Sequence, residues 1–341
     1  MKTWQKAAFI IVLILFVAAS IVISLVSISR PPYKYELQSV ADGGAVDGWL
    51  FYGFNGNAGT KKLYIDFVRD KDGNAPDESR PVLGIRKYAV NADEYIDEIV
   101  IGASVEYIDE YAFFNAKKLQ RVTVDPANRH FKDVDGMLYT KDGKTLILYP
   151  VRYGQQPGEK EDEYSYPDTY AVPDGVERIG TFAFLKNGHL RDVTLPGSLK
   201  EIGDMAFFDC GRLGTYGYDA GSDTLTGTGF SLPEGLTKIG TDAFSKCGGI
   251  APVIYIPSSV SEIGHHAFFS CGGIKDVYLG AADGSAIETG DAWLPKSIRV
   301  GAAWKAPKPR YGMTMEDAEA LIGEYQTQRL DALREEAREN G

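Results

Sequence analysis

The stretch EIGHHAFFSCGGIKDVYLG, residues 262–280, sets His265, His266 and Cys271 close together. Imidazole and thiolate are zinc ligands, and a cysteine beside a histidine can be a nucleophile. A zinc site needs three or four convergent ligands, and a catalytic constellation occurs once in a chain. This neighbourhood recurs. Counting from Ile263, Gly264 stands at +1, Ala267 at +4, Phe268 at +5, Cys271 at +8, Ile274 at +11, Val277 at +14 and Leu279 at +16. Ile239 heads a copy with Gly240, Ala243, Phe244, Cys247 and Ile250, and Ile202 one with Gly203, Ala206, Phe207, Cys210 and Leu213. Ile179 heads another with Gly180, Ala183, Phe184, Asn187, Leu190, Val193 and Leu195. His265 and His266 fall at +2 and +3, which vary between copies and read as surface positions. The three cysteines share one register, so their side chains point the same way and read as small buried residues rather than a disulfide framework.

A second candidate is RDKDGNAPDE, with Asp70, Asp72, Asn74 and Asp77 spaced somewhat like a calcium loop. Its Gly73 falls at the fourth position instead of the sixth, and no glutamate follows at the twelfth. The chain has no G-x-S-x-G, phosphate-binding loop, H-E-x-x-H or dinucleotide fingerprint. The expectation is a protein with no catalytic, metal or cofactor residues that is not an enzyme. An enzyme would have to place its site in the loops at 151–170 or 214–229.

The elements around these residues are set by the repeat. Head isoleucines at 85, 108, 179, 202, 239, 263 and 287 define a unit of 23 to 24 residues, with longer gaps of 71 and 37 where segments are inserted. The copies at Ile85, Ile108 and Ile287 are weaker. Segments such as VERIG and DVTLP alternate apolar and polar residues, as strands do when one face is buried. Ala-Phe reads as a tight helical or 3₁₀ corner, and Gly after Ile as a bend. A unit of this length cannot bury its own apolar side and relies on its neighbours.

VERIGTFAFLKNGHLRDVTLPGS, LKEIGDMAFFDCGRL, LTKIGTDAFSKCGGI and VSEIGHHAFFSCGGIKDVYL resemble the BspA-like class of leucine-rich repeat, found on bacterial surface proteins and in some parasitic protists. The resemblance implies a β-rich α/β repeat fold, a curved solenoid of about six to seven units. It also implies a binding or adhesion module at the cell surface with a protein or glycan ligand. A structural component of the envelope, assembling through its C-terminal helix, is the alternative.

The predicted organisation begins with a short cytoplasmic stretch, 1–6. Residues 7–29 carry no charge and are bounded by Lys6 and Arg30, with Pro31 and Pro32 ending any helix. That length spans roughly 35 Å, enough to cross a bilayer core of about 30 Å, so a single-pass signal anchor with the repeats extracytoplasmic is expected. The alternative is a cleaved signal peptide and a secreted chain. A capping β region covers 34–81. The solenoid occupies 82–303, with insertions at 127–170 and 214–229. A helix follows at 314–340, capped at Thr314 and acidic in its first turn. Net charge is −11 with 36 basic and 47 acidic residues, so nucleic acid is not an expected partner.

Between the inward residues of each strand lies an outward row: Val100, Thr123, Thr194, Ser231, Tyr255 and Tyr278. Thr194, Tyr255, Tyr278 and the adjacent Asp276 are the candidate ligand-binding residues, because exposed tyrosines give contact area at low entropic cost. The competing reading is that both tyrosines only favour strand structure and pair across repeats.

Overall fold

A computed structural model describes residues 33–38, 48–54, 61–69, 75–90, 95–114, 116–158, 163–219, 221–226, 229–250, 252–294, 298–300, 303–305 and 309–340. The apolar segment 7–29 and Asp70, Asp72, Gly73 and Asn74 lie outside the described residues. Among the described residues, no helix is long and apolar enough to cross a membrane.

The repeat heads form a continuous parallel ladder. Strands Thr145–Leu148, Arg178–Ile179, Glu201–Ile202, Lys238–Ile239, Glu262–Ile263 and Glu288–Thr289 pair in that order. Ile179, Ile202, Ile239 and Ile263 are in register and buried. The N-terminal region repeats the device, with Phe51 opposite Ile85 and Ile85 opposite Ile108. Phe51 therefore already occupies a head position, and the expected cap contributes a degenerate first unit. In the last copy Thr289, not Ile287, stands opposite Ile263. There the Thr-Gly pair replaces Ile-Gly, so the isoleucine pattern misleads by two residues.

From Arg178 to Glu262 the residue beside each head carries a charge of alternating sign, and the last step breaks the alternation by setting Glu288 opposite Glu262. Arg178 lies opposite Glu201, Glu201 opposite Lys238, and Lys238 opposite Glu262. Ion pairs join Arg178 to Glu201 at 3.3 Å and Lys238 to Glu262 at 2.8 Å.

The Ala-Phe corner is tight as expected, closed by i→i−3 bonds such as Ala183 N–H to the Gly180 carbonyl and Leu185 N–H to the Phe182 carbonyl, but it is not a regular helical or 3₁₀ turn. Positions +3 (Phe182, Met205, Asp242, His266) and +7 (Lys186, Asp209, Lys246, Ser270) all have φ between 51° and 64°, the left-handed region. Two such residues per corner prevent a helix from propagating. Their cost is offset by hydrogen bonds between repeats: Phe182 N–H donates to the Asp204 carbonyl, Met205 to Thr241 and Asp242 to His265. Inside the corner Phe184, Phe207, Phe244 and Phe268 stack at 4.7, 5.2 and 5.1 Å with rings 7° from parallel. Each is fully buried beside an alanine whose small side chain leaves room for the ring.

Position +8 closes the corner. The thiols of Cys210, Cys247 and Cys271 donate to the carbonyls of Phe184, Phe207 and Phe244 at 3.0, 2.9 and 2.9 Å. The Asn187 amide donates to the Tyr149 carbonyl at 3.4 Å. Asn and Cys alternate here because both are small donors. Burial pushes the Cys247 and Cys271 thiols well above the ordinary value, which keeps them protonated to donate.

The glycine after each head has a different role from the bend expected. Gly180, Gly203, Gly240 and Gly264 are not among the residues with positive φ. A Cβ on Gly203 would lie 2.8 Å from the Thr181 nitrogen, and one on Gly240 2.7 Å from the Asp204 nitrogen. Close approach of the preceding repeat excludes a side chain.

The insertion at 127–170 separates the ladder that ends at Ile108 from the next one and supplies that one's first parallel strand. Phe131–Val134, Met137–Thr140 and Thr145–Leu148 form a three-stranded meander with turns at Asp135-Gly136 and Asp142-Gly143. Its last strand sets Leu146 opposite Ile179, and Tyr149 stacks on Phe184 at 5.1 Å. Leu146 and Tyr149 thus substitute for a missing head and corner aromatic. The polar stretch that follows pairs Gln156–Pro157 with Tyr164–Ser165. The second insertion forms another hairpin, Gly217–Asp219 with Thr224–Thr226.

The opposite, strand face is discontinuous. It consists of Lys62–Ile65, Glu98–Ile101 and Arg121–Val124; then Thr169–Ala171 and Asp192–Thr194; then Val253–Ile256, Asp276–Leu279 and Pro309–Tyr311. The C-terminal helix α1, Met315–Asn340, begins in a reciprocal cap. Asp317 N–H donates to the Thr314 hydroxyl at 3.1 Å, while Thr314 N–H donates to the Asp317 carboxylate at 2.8 Å.

Candidate functional site

The structure separates the four candidate residues. Thr194 is exposed on the central two-stranded segment. With Tyr153, Pro167, Thr169, Tyr170 and Asp192 it lines an open groove with a cavity volume of about 520 Å³. The groove exists because the strands on either side, Arg121–Val124 and Val253–Ile256, do not continue the sheet. Its wall is held by a polar set: the Tyr139 and Tyr170 hydroxyls meet at 2.5 Å, and Arg191 pairs with Asp168 at 3.1 Å. Burial raises the Tyr170 hydroxyl far above the ordinary tyrosine value, with the bond to Tyr139 adding to it, so it stays neutral.

Tyr278 is not exposed as expected. It retains 4% of its accessible surface and lies in an apolar cluster with Val253 and Ala318, flanked by Tyr255, Met313, Leu321, Ile322 and Tyr325. Helix α1 supplies that cover. Asp276 is likewise engaged, accepting from Arg310 at 3.1 Å and from the Tyr325 hydroxyl at 3.1 Å, while the Arg310 guanidinium sits 5.3 Å from the Tyr278 ring. Tyr255 is half-buried opposite Tyr278, and burial and the nearby Glu234 carboxylate raise its hydroxyl. Three of the four candidates therefore line the seat of the protein's own helix. The sequence signal that could have shown this is the i, i+3, i+4, i+7 series Ala318, Leu321, Ile322 and Tyr325, a short apolar stripe needing a surface.

The helix is clasped further along by the second hairpin. Arg334 bonds both oxygens of Asp223 at 2.8 and 2.7 Å, and Gln326 donates to the Tyr216 hydroxyl at 3.1 Å. His265 and His266 are exposed on the corner side, and His265 Nδ1 accepts from the Asp291 N–H at 2.9 Å. Among the described residues, no group of three or more His, Cys, Asp and Glu side chains could hold a metal ion.

This geometry, a stack of short parallel strands joined by Ala-Phe corners and donor-bearing +8 residues, defines a solenoid of the leucine-rich-repeat class. The chain matches the BspA type leucine rich repeat region in six copies, over residues 83–134, 166–226 and 220–289, and it belongs to that family. No curated protein matches. Among solved structures, the chain is similar to a leucine-rich repeat protein from Eubacterium ventriosum, with 17% identity and TM-score 0.47, over 66% of this chain and 55% of that one. It is also similar to the pneumococcal vaccine antigen PcpA, with 17% identity and TM-score 0.43, over 85% of this chain and 88% of that one. A leucine rich cell surface protein from Faecalibacterium prausnitzii gives 20% identity and TM-score 0.42, over 77% and 62%. The chain thus spans 55% of the first of these structures and 62% of the third. Family membership points to a protein-binding or cell-surface role.

Proposed function

We propose that this protein is a membrane-anchored, extracytoplasmic binding module that holds a protein partner on the open centre of its strand face. The observation that carries the reading is the groove at Thr194, the part of that face left uncovered between the N-terminal strands and the seat of α1. Tyr153 and Tyr170 offer rigid contact area beside Thr169 and Thr194, a composition suited to protein recognition. The uncharged segment 7–29 supports the anchor. The envelope-assembly alternative calls for a C-terminal helix free to oligomerise; α1 instead packs its apolar residues against its own chain.

The reading is tested by binding the full chain, in detergent, to a panel of extracellular matrix proteins and proteins of the same cell surface. Thr194→Arg is expected to weaken any captured partner by about tenfold or more while the fold persists. Unchanged affinity would place the partner elsewhere. Fractionation of cells tests the anchor: the intact chain should sediment with membranes, and release by high salt alone would refute it.

A further inference from the structure

One strand at the centre of the strand face has an open edge. Thr169–Ala171 pairs in parallel with Asp192–Thr194. Asp192 N–H donates to the Asp168 carbonyl at 3.0 Å and Val172 N–H to the Thr194 carbonyl at 2.9 Å, so Asp168, Tyr170 and Val172 turn their backbone groups toward that neighbour. Backbone groups alternate in direction along a strand, and those of Thr169 and Ala171 face the other way. Among the described residues nothing pairs with them on that side. Both residues are exposed and line the groove.

Other edges of this face are closed by the chain itself. The side of Arg121–Val124 away from Glu98–Ile101 is met by the meander, with Val122 N–H donating to the Gly136 carbonyl at 2.7 Å and Val124 N–H to the Asp133 carboxylate at 2.8 Å. Asp276–Leu279 is covered by Pro309–Tyr311, an extended segment from beyond the repeats that adds to it in parallel. The Thr169 edge has no such cover among the described residues.

Charge narrows what can fill it. The segment leading into the strand, 159–168, carries Glu159, Glu161, Asp162, Glu163 and Asp168 against Lys160. Beside the groove a single cation, Arg191, is shared between Asp168 and Asp192. A negative balance of this kind favours a basic occupant.

We propose that the partner enters as an extended basic segment that adds a strand to Thr169–Ala171, on the side away from Asp192–Thr194. Its backbone bonds the N–H and C=O groups of Thr169 and Ala171, and lysine or arginine side chains at alternate positions meet the acidic surroundings. The inference rests on the groove reading above and names how that groove is filled.

Isothermal titration calorimetry of the full chain in detergent provides the test, with an alternating lysine–valine hexapeptide as probe. Saturable binding is expected, about tenfold or more tighter than that of the same peptide with its backbone N-methylated, or of a glutamate–valine peptide. Ala171→Pro removes an N–H that the fold does not use and should abolish binding, while an unaltered circular dichroism spectrum shows that the strand edge tolerates it. The N-methylated peptide decides the matter even if that variant misfolds. Hydrogen exchange at Thr169 and Ala171 should slow when the peptide saturates the protein. The proposal is overturned by absence of saturation at about 1 mM peptide, by equal binding of either comparison peptide, or by undiminished binding to folded Ala171→Pro. A captured protein partner lost in Thr194→Arg yet kept in Ala171→Pro would leave the groove reading standing and remove strand addition.

Discussion

The two faces of the stack obey different rules. On the head face, Leu146, Ile179, Ile202, Ile239, Ile263 and Thr289 form one ladder that an inserted meander begins, and Phe51, Ile85 and Ile108 form a second in the N-terminal sheet. On the strand face the ladder is cut into three pieces, and the gaps and edges hold the groove, the hairpins and the helix. The head face is interrupted once, between Ile108 and Leu146, and the strand face twice. The strand face is where the chain departs further from its repeat, and where binding is available.

The comparison breaks if the corner core is not the main source of stability. Phe207→Ala, which removes a ring stacked on two others, is expected to cost about 3–5 kcal/mol by urea unfolding. Thr194→Ala on the strand face should stay within about 0.5 kcal/mol. Similar costs at the two positions would erase the distinction.

Next in size is the row at +8. Cys247→Ala removes a buried donor to the Phe207 carbonyl, which keeps the Cys210 N–H as its other partner, for an expected loss of about 0.5–1.5 kcal/mol. The same row predicts a pH dependence. Burial raises the Cys247 and Cys271 thiols in the folded chain, so as pH climbs past the ordinary value of 9.0 the unfolded chain gives up these protons first. The stability they confer is complete below that pH and declines above it. A Cys247→Ala and Cys271→Ala double variant should show a flatter stability profile above pH 9 in chemical denaturation; an identical slope would place the thiols in contact with water.

Smaller still is the clasp on α1. The Arg334–Asp223 pair is exposed, so Asp223→Ala should cost no more than about 1 kcal/mol, and less in high salt. Faster hydrogen exchange confined to α1 would be its signature. Last is the double change His265→Ala and His266→Ala, expected to cost about 1 kcal/mol or less through loss of the His265 acceptor for the Asp291 N–H and an alanine at the left-handed +3 position, with no rise in melting temperature of the parent on adding zinc.

The sequence made the head face legible because identical side chains must meet identical neighbours at every step, and Ile, Gly, Ala, Phe and Cys recur for that reason. Legibility failed where a different residue met the same demand. Leu146 and Tyr149 stand in for head and corner without the repeat's letters, and Thr289 replaces an isoleucine. The left-handed corners were hidden because Phe, Met, Asp and His all accept that backbone when hydrogen bonds between repeats enforce it. Of the candidate site, Thr194 was placed correctly as exposed, and Tyr278 was not. Alternation along a strand says which side chains leave the core, but not whether another element, 40 residues later in the chain, returns to cover them.

The alternating charges beside the heads bear on how such a chain finds its own alignment. Repeats this alike could skip a neighbour during folding and dock on the next but one. Omitting the Glu201 unit would set Arg178 against Lys238, and omitting the Lys238 unit would set Glu201 against Glu262. Each mispairing brings like charges into cross-strand contact, which is destabilising. Between Arg178 and Glu262 the row thus penalises an error of one unit, and the penalty ends at the last step, where Glu262 already faces Glu288.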